Sequence, residues 1–292
     1  MKVLLLGGTG QLGLALQATK PEHVALSIAR RAEADLTDPR AVEDFVSAEN
    51  VDLVINAAAY TAVDKAESEE QIAFQINAQS VGAIAKAATR IGARFFHVST
   101  DYVFDGSKAG LYDPDDMAAP IGAYGRSKLA GENAALSACA NSLIVRTAWL
   151  YSEHGNNFVK TMLRLMSSHP QVRVVADQIG TPTYAHALAK ALWRLADTAC
   201  AGILHYTDSG VASWYDFACA IQDLSLQRGL LKDRVPVLPI STADFPTPAK
   251  RPGFSILDKS KTWAILGSPA DHWRSSLGLM LDRYRNLQPP FH

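Results

Sequence analysis

Cysteine is scarce in this chain of 292 residues: Cys139, Cys200 and Cys219 are odd in number and far apart. Such spacing supports no disulfide framework and reads as buried, reduced thiols in a reducing cytoplasm. Long apolar runs are missing as well. None reaches the roughly 18 residues of a spanning helix, and no basic stretch with an apolar core and cleavage site opens the chain. Neither export nor membrane insertion is expected. Nor is there an excess of charge of one sign, with 28 Lys and Arg against 29 Asp and Glu for a net charge of −1. That balance favours no wholesale binding to nucleic acid or to an anionic membrane. The eight histidines show neither H-x-x-x-H nor H-E-x-x-H spacing, and no two cysteines are close in sequence, which argues against a catalytic metal.

What is present is a globular composition, 48% hydrophobic and 20% charged, long enough for one large domain or one with a smaller companion. Lys2 to Leu6 is a short apolar run followed at once by Gly7-Gly8-Thr9-Gly10-Gln11-Leu12-Gly13. A G-x-x-G-x-x-G between a strand and a helical pattern suits a dinucleotide. Glycines permit the tight turn, and backbone N–H groups at the helix N-terminus receive the pyrophosphate. Gly7, Gly10, Gln11, Leu12 and Gly13 are the first candidate cofactor residues; a glycine-rich turn without a ligand is the alternative. After a second strand, Val24 to Ile28, the acid that favours NAD is replaced by Ala29-Arg30-Arg31. Two guanidinium groups suit a 2′-phosphate, so NADPH is preferred, with NADH or a merely solvated basic turn as alternatives.

Asp35 and Leu36 lie in a loop expected to pass the adenine edge, and Asp38-Pro39 reads as the cap and first turn of a helix. A third strand, Val51 to Ile55, runs into Asn56 and then Ala57, Ala58 and Ala59, whose small side chains leave room for a cofactor. Gln71 to Ile91 reads as one amphipathic helix stopped at Gly92, and Phe95 to Val98 as the fourth strand. Four strand–helix repeats define the fold class as α/β, a doubly wound parallel (Rossmann) sheet.

The fourth strand ends in Ser99-Thr100-Asp101-Tyr102, and further on Tyr124 and Lys128 stand four apart. On a helix that spacing puts both on one face, one turn apart. Moving a phenol from its free pKa of about 10 to neutrality requires about 4 kcal/mol. One ammonium a few ångströms away supplies about 3–4 kcal/mol at an effective dielectric near 20. Thr100, Tyr124 and Lys128 thus form a candidate catalytic set for hydride transfer, with Tyr124 as proton donor and Lys128 expected to draw its pKa down. An ordinary helix-surface pair is the alternative that the spacing leaves open.

Leu143 to Val145 and Val172 to Val175 read as the fifth and sixth strands, and Asn156-Asn157 as the cap of the amphipathic helix between them. Trp149 follows a strand end and suits core packing or a substrate wall equally. From Asp177 the texture changes: helices at Tyr184–Ala196 and Ser213–Gln227 alternate with short strands near Ile203–Tyr206 and Val237–Ile240. The chain is therefore divided into a dinucleotide-binding part, 1–176, and a smaller α/β substrate-binding lid, 177–292, with some crossing of the chain between them. In the proline-rich loop of the lid, Arg251 is the candidate for a substrate phosphate, with a solvated arginine as the alternative.

Several segments resemble one family, the bacterial dTDP-4-dehydrorhamnose reductases, which are extended short-chain dehydrogenases. They are Gly7 to Gly13, Asn56 to Asp64, Ser99 to Phe104, Tyr124 to Glu132, Asp177 to Thr183 and Arg251 to Ser255, spread over almost the whole chain. The resemblance implies NAD(P)H-dependent reduction of the C4 ketone of a dTDP-activated 6-deoxy sugar, giving dTDP-L-rhamnose for cell-surface polysaccharide such as the lipopolysaccharide O-antigen. It further implies that Tyr124 protonates the oxygen, Lys128 binds the nicotinamide ribose and Thr100 orients the carbonyl. Asp101 and Tyr102 would lie near the substrate, Trp149 would flank the sugar, and Asn157 and Arg251 would hold the nucleotide end. The 4,6-dehydratases carry Thr-Asp-Glu after the same strand, whereas Asp101 here is followed by Tyr102, which disfavours elimination. Some members are described as Mg²⁺-linked dimers. Leu14-Ala15-Leu16 and His186 stand where their carboxylates would be, which argues against Mg²⁺ and leaves monomer or homodimer open. The rival readings are a non-catalytic dinucleotide-binding regulatory subunit, as in the β subunit of methionine adenosyltransferase, and a reductase or epimerase of another nucleotide sugar.

Overall fold

Short apolar runs bounded by turn residues form the strands of one parallel sheet, whose inner strands are buried on both faces. The computed structural model describes residues 1–287; the end of the expected lid range, 288–292, lies outside the described residues. The chain opens with β1 (Lys2–Leu6), α1 (Gln11–Ala18), β2 (Ala25–Ile28), α2 (Pro39–Ser47) and β3 (Leu53–Asn56). Next come α3 (Val63–Ala66), α4 (Glu70–Phe74), α5 (Ser80–Arg90), β4 (Arg94–Thr100), α6 (Ala123–Ala138) and β5 (Ser142–Thr147). Then follow β6 (Leu150–Tyr151), α7 (Phe158–Ser168), β7 (Val172–Val175), β8 (Ile179–Gly180), β9 (Thr183–Tyr184), α8 (Ala185–Ala196) and β10 (Gly202–His205). The last elements are β11 (Ala212–Ser213), α9 (Trp214–Gln227), β12 (Val237–Ile240), α10 (Ser260–Leu266) and α11 (Trp273–Leu287).

Six strands pair in the order β10-β5-β4-β3-β1-β2, all parallel. The order reverses at β1 and β3, so a crevice opens beyond their carboxyl ends. One face of the sheet is covered by α1 and α8, whose Leu16, Leu188 and Leu192 pack on Leu5 and Ile55. The other is covered by α2 and α5, through Val42, Val46 and Ile84 against Leu4, Val54 and Phe95. A third core, around Val159, Phe217 and Leu277, joins α7, α9 and α11.

Two expectations are corrected by the pairing. Val172–Val175 is not the sixth strand of the main sheet; it pairs only with β12. Its burial alternates, with Arg173 exposed, and such a strand cannot be buried on both faces. The sixth strand is β10, placed by the sequence pattern in the lid, whose Leu204 and His205 are buried beside β5. α8 returns with it, and Trp193 Nε1 donates to Leu16 O of α1 at 3.1 Å. A whole helix–strand unit from beyond residue 176 thus belongs to the main sheet.

The helix expected over 71–91 is also interrupted. A π-helical turn, Gln75–Gln79, lies between α4 and α5. It turns Asn77 inward, where Oδ1 accepts from Tyr60 N at 2.8 Å and Nδ2 donates to Ser127 Oγ of α6 at 3.0 Å. π-Turns of this kind recur beside functional sites.

Candidate active site

A cavity of about 950 Å³ runs along the carboxyl edge of the sheet, from the first glycine-rich turn to β4 and α6. The turn is built by steric necessity. Gly7 has φ +81°, and a Cβ there would lie 2.6 Å from Ala58 N. A Cβ on Gly13 would lie 2.1 Å from Gly7 O, so Gly13 closes the turn on itself and, unlike Gly7, Gly10, Gln11 and Leu12, does not line the cavity. Gln17 Nε2 locks the turn from behind by donating to Gly8 O at 2.6 Å and Gly13 O at 3.0 Å. Gly10 caps α1 without a side chain, leaving the first N–H groups of the helix turned to the cavity. This cradle suits a pyrophosphate. At the far end Arg30, Arg31, Asp35 and Leu36 line the same cavity. The Thr37 N–H, donating to Asp35 at 2.9 Å, holds that carboxyl below its usual range. Ala57, Ala58 and Ala59 form the floor between.

Tyr124 and Lys128 lie one turn apart on α6, beside Thr100 at the end of β4, and all three reach the cavity. The electrostatics differ from the expectation. Burial pushes the Tyr124 phenol up to about 12, with the Thr100 hydroxyl pulling it down and the Asp101 charge pushing it up. Lys128 is itself drawn down to about 8 by burial, against the charge of Glu132. Its Nζ is turned to β4, donating to Val98 O at 2.8 Å and lying 3.1 Å from His97 Nε2. Desolvation of both groups outweighs the attraction expected from spacing alone. Tyr124 therefore stays a phenol, which is the form that donates a proton.

Asp101 and Tyr102 line the cavity, but the Asp101 carboxylate is committed to Ser255 Oγ at 2.6 Å, tying the proline-rich loop to the end of β4. Burial raises it to about 6. Tyr102 meets the Tyr124 ring edge-on at 5.6 Å. Arg251 does not line the cavity: its guanidinium is paired with Asp64 at 2.8 Å. Asn157 is also outside the cavity. Its Oδ1 caps α7 at Lys160 N, and its Nδ2 donates to Gln11 Oε1 at 2.9 Å and Ser152 O at 2.7 Å, so its amide is consumed inside the protein.

Trp149 is the one non-glycine residue with positive φ (48°) among the described residues. Its indole stacks on Trp214 at 3.5 Å and 8°, and both line the cavity. Trp214, first residue of α9, carries no signal in the sequence, because its helical context suits a core residue equally. No group of three or more His, Cys, Asp or Glu side chains could hold a metal among the described residues. His186, on α8, pairs through Nε2 with Glu153 Oε1 at 2.9 Å. Among the described residues no helix is long and apolar enough to cross a membrane.

A parallel sheet switched at a glycine-rich turn, with its cavity ending on a half-buried tyrosine and a buried lysine one turn apart, defines a Rossmann-type, NAD(P)H-dependent oxidoreductase. Comparison with known proteins narrows this. A family model described as "RmlD substrate binding domain" matches residues 1–286, and the chain belongs to that family. It is 44% identical to a dTDP-4-dehydrorhamnose reductase of Mycobacterium tuberculosis, over 96% of this chain and 92% of that one. Identity to the same-named protein of Aggregatibacter actinomycetemcomitans is 41%, over 94% and 97%. Among solved structures, a dTDP-4-dehydrorhamnose reductase of Clostridium acetobutylicum superposes with a TM-score of 0.91 at 39% identity, covering 98% of this chain and all of that one (100%). A Bacillus anthracis dTDP-4-dehydrorhamnose reductase in complex with NADP gives 0.90 at 37% identity, covering 97% and 99%.

Proposed function

We propose that this protein reduces the C4 ketone of dTDP-4-dehydro-L-rhamnose to dTDP-L-rhamnose, with NADPH preferred over NADH. One observation carries the reaction class: a single cavity joins the pyrophosphate cradle to Thr100, Tyr124 and Lys128. The substrate class rests on the family and on the names of its relatives. In this reading the turn from Gly7 and the N-terminus of α1 hold the pyrophosphate, Arg30 and Arg31 bind the 2′-phosphate, and Asp35 and Leu36 flank the adenine. Bound NADPH supplies the hydride. Tyr124 donates its proton to the C4 oxygen while the Thr100 hydroxyl orients that oxygen. The Lys128 ammonium binds the nicotinamide ribose and steadies the phenolate left behind. Trp149, backed by Trp214, walls the sugar. Residues from 177 onward, with Arg251 released from Asp64, hold the nucleotide end. The three unpaired cysteines suit a cytoplasmic location.

The test is NADPH oxidation followed by absorbance, with enzymatically prepared dTDP-4-dehydro-L-rhamnose as substrate. Tyr124→Phe is expected to lower kcat by at least about 10²-fold, the scale of a lost general acid, while still binding NADPH. A wild-type protein that binds NADPH without turnover would sink the reductase reading in favour of a regulatory subunit or another nucleotide sugar.

A further inference from the structure

Behind Lys128 lie two polar side chains that the mechanism above does not use. Asn56 and His97 are register partners on β3 and β4, and both are fully buried. Their hydrogen bonds are assignable atom by atom. The Ala58 N–H donates to Asn56 Oδ1 at 3.0 Å, and the reverse orientation of the amide would set NH₂ against N–H. Asn56 Nδ2 is therefore the group facing His97 Nδ1 at 3.2 Å, and Nδ1 must accept. Full burial holds His97 well below its ordinary pKa, so the ring is neutral with a single N–H. That proton is left on Nε2. Nε2 lies 3.1 Å from Lys128 Nζ, and an N–H directed at Nζ requires a lone pair, which the amine has and the ammonium lacks.

The neutral amine satisfies every neighbour at once. One N–H goes to Val98 O at 2.8 Å, the lone pair faces His97, and one N–H remains for the cavity that Lys128 lines. An ammonium would set one N–H against another. We propose that Asn56 and His97 are positioning residues that present a donor to Lys128, bias it toward its neutral amine and thereby set the alkaline limit of catalysis. The proposal deepens the reductase reading and rests on it, because that reading makes the ammonium the working form.

The other charged and titratable groups about Lys128 are Tyr124 and Glu132 on its own helix, Asp101 and Tyr102 after β4, and Arg146 of β5, which is tied to Glu132. β3 contributes no charge there, only Asn56. Burial acts in the same direction as His97, and Glu132 opposes it.

The tautomer is read directly by ¹⁵N NMR of the full-length protein, with the His97 signals assigned by their loss in His97→Gln. A pyrrole-type Nε2 and a pyridine-type Nδ1 are expected; the proton on Nδ1 overturns the proposal. Two variants then separate tuning from support. His97→Gln offers a carbonyl oxygen that accepts from an ammonium, so the alkaline limb of kcat should move up by about one pH unit or more, tenfold in proton affinity. His97→Leu removes the donor without supplying an acceptor, so the limb should rise by less than in His97→Gln. Equal shifts in both variants, or none in His97→Gln, overturn it. If the wild type oxidises no NADPH with the sugar nucleotide, the reductase reading fails and the tuning of its limb falls with it, while the NMR spectrum still decides the tautomer independently.

Discussion

Replacing Glu132 by alanine should unfold this protein more readily than any change to its surface ion pairs. Glu132 and Arg146 meet in a fork, Nη2 to Oε2 at 2.7 Å and Nε to Oε1 at 3.0 Å, with side chains 1% and 3% exposed. Without the carboxylate, the guanidinium keeps Pro114 O at 3.3 Å and the face of Phe104 at 5.0 Å. Removing one partner of such a pair costs about 3–5 kcal/mol, because the remaining charge stays out of water. By contrast the exposed Arg126–Glu70 pair, 42% and 49% accessible, is worth about 0–1 kcal/mol. At about 2–4 °C per kcal/mol for a chain somewhat smaller than this, Tm should fall by roughly 6 to 20 °C. Urea denaturation of Glu132→Ala, Arg146→Ala and the double replacement by Leu and Met tests the reasoning. The single variants should be the unstable ones, with the apolar pair close to wild type. A loss below about 1 kcal/mol in Glu132→Ala would refute the claim that desolvation governs this pair.

Asp208 offers a pH test. Its Oδ2 accepts from Tyr184 N at 3.2 Å, its Oδ1 has no partner among the described residues, and burial raises it from 3.8 to about 7. A folded pKa above the unfolded one means that the stabilisation is complete below 3.8 and is lost as pH rises through about 7. Asp208→Asn should flatten this part of the stability profile and raise Tm at alkaline pH; an unchanged slope in thermal scans across pH would refute it. At the other end of the cavity, Arg30→Ser with Arg31→Ser should weaken NADPH binding by on the order of tenfold or more and leave NADH binding nearly unchanged. Fluorescence titration decides, and parallel losses for both cofactors would remove these arginines from the 2′-phosphate site.

Much of the molecule was legible locally. Asp38 accepts from Arg40 N and Ala41 N at 3.0 Å, as its place before Pro39 suggested, and Asn157 caps α7. Gly7 to Gly13 formed the expected turn, and the i, i+4 spacing set Tyr124 and Lys128 on one face of α6. Caps, glycine turns and helical periodicity depend on neighbours within a few residues, and those are written in the chain.

Strand partnership was less legible. β7 and β10 are both short and apolar, and only the packing of α8 on α1 shows which of them extends the main sheet. Trp214 and the π-turn at Asn77 likewise take their roles from partners distant in sequence, Trp149 and Ser127. The amino-acid sequence by itself determined the Rossmann class, the glycine-rich turn and the placing of Tyr124 and Lys128 one turn apart. The tertiary structure alone decided their protonation. Spacing predicts the attraction between a phenol and an ammonium, but not the water removed from each. That desolvation leaves Tyr124 raised, Lys128 lowered and His97 neutral behind them.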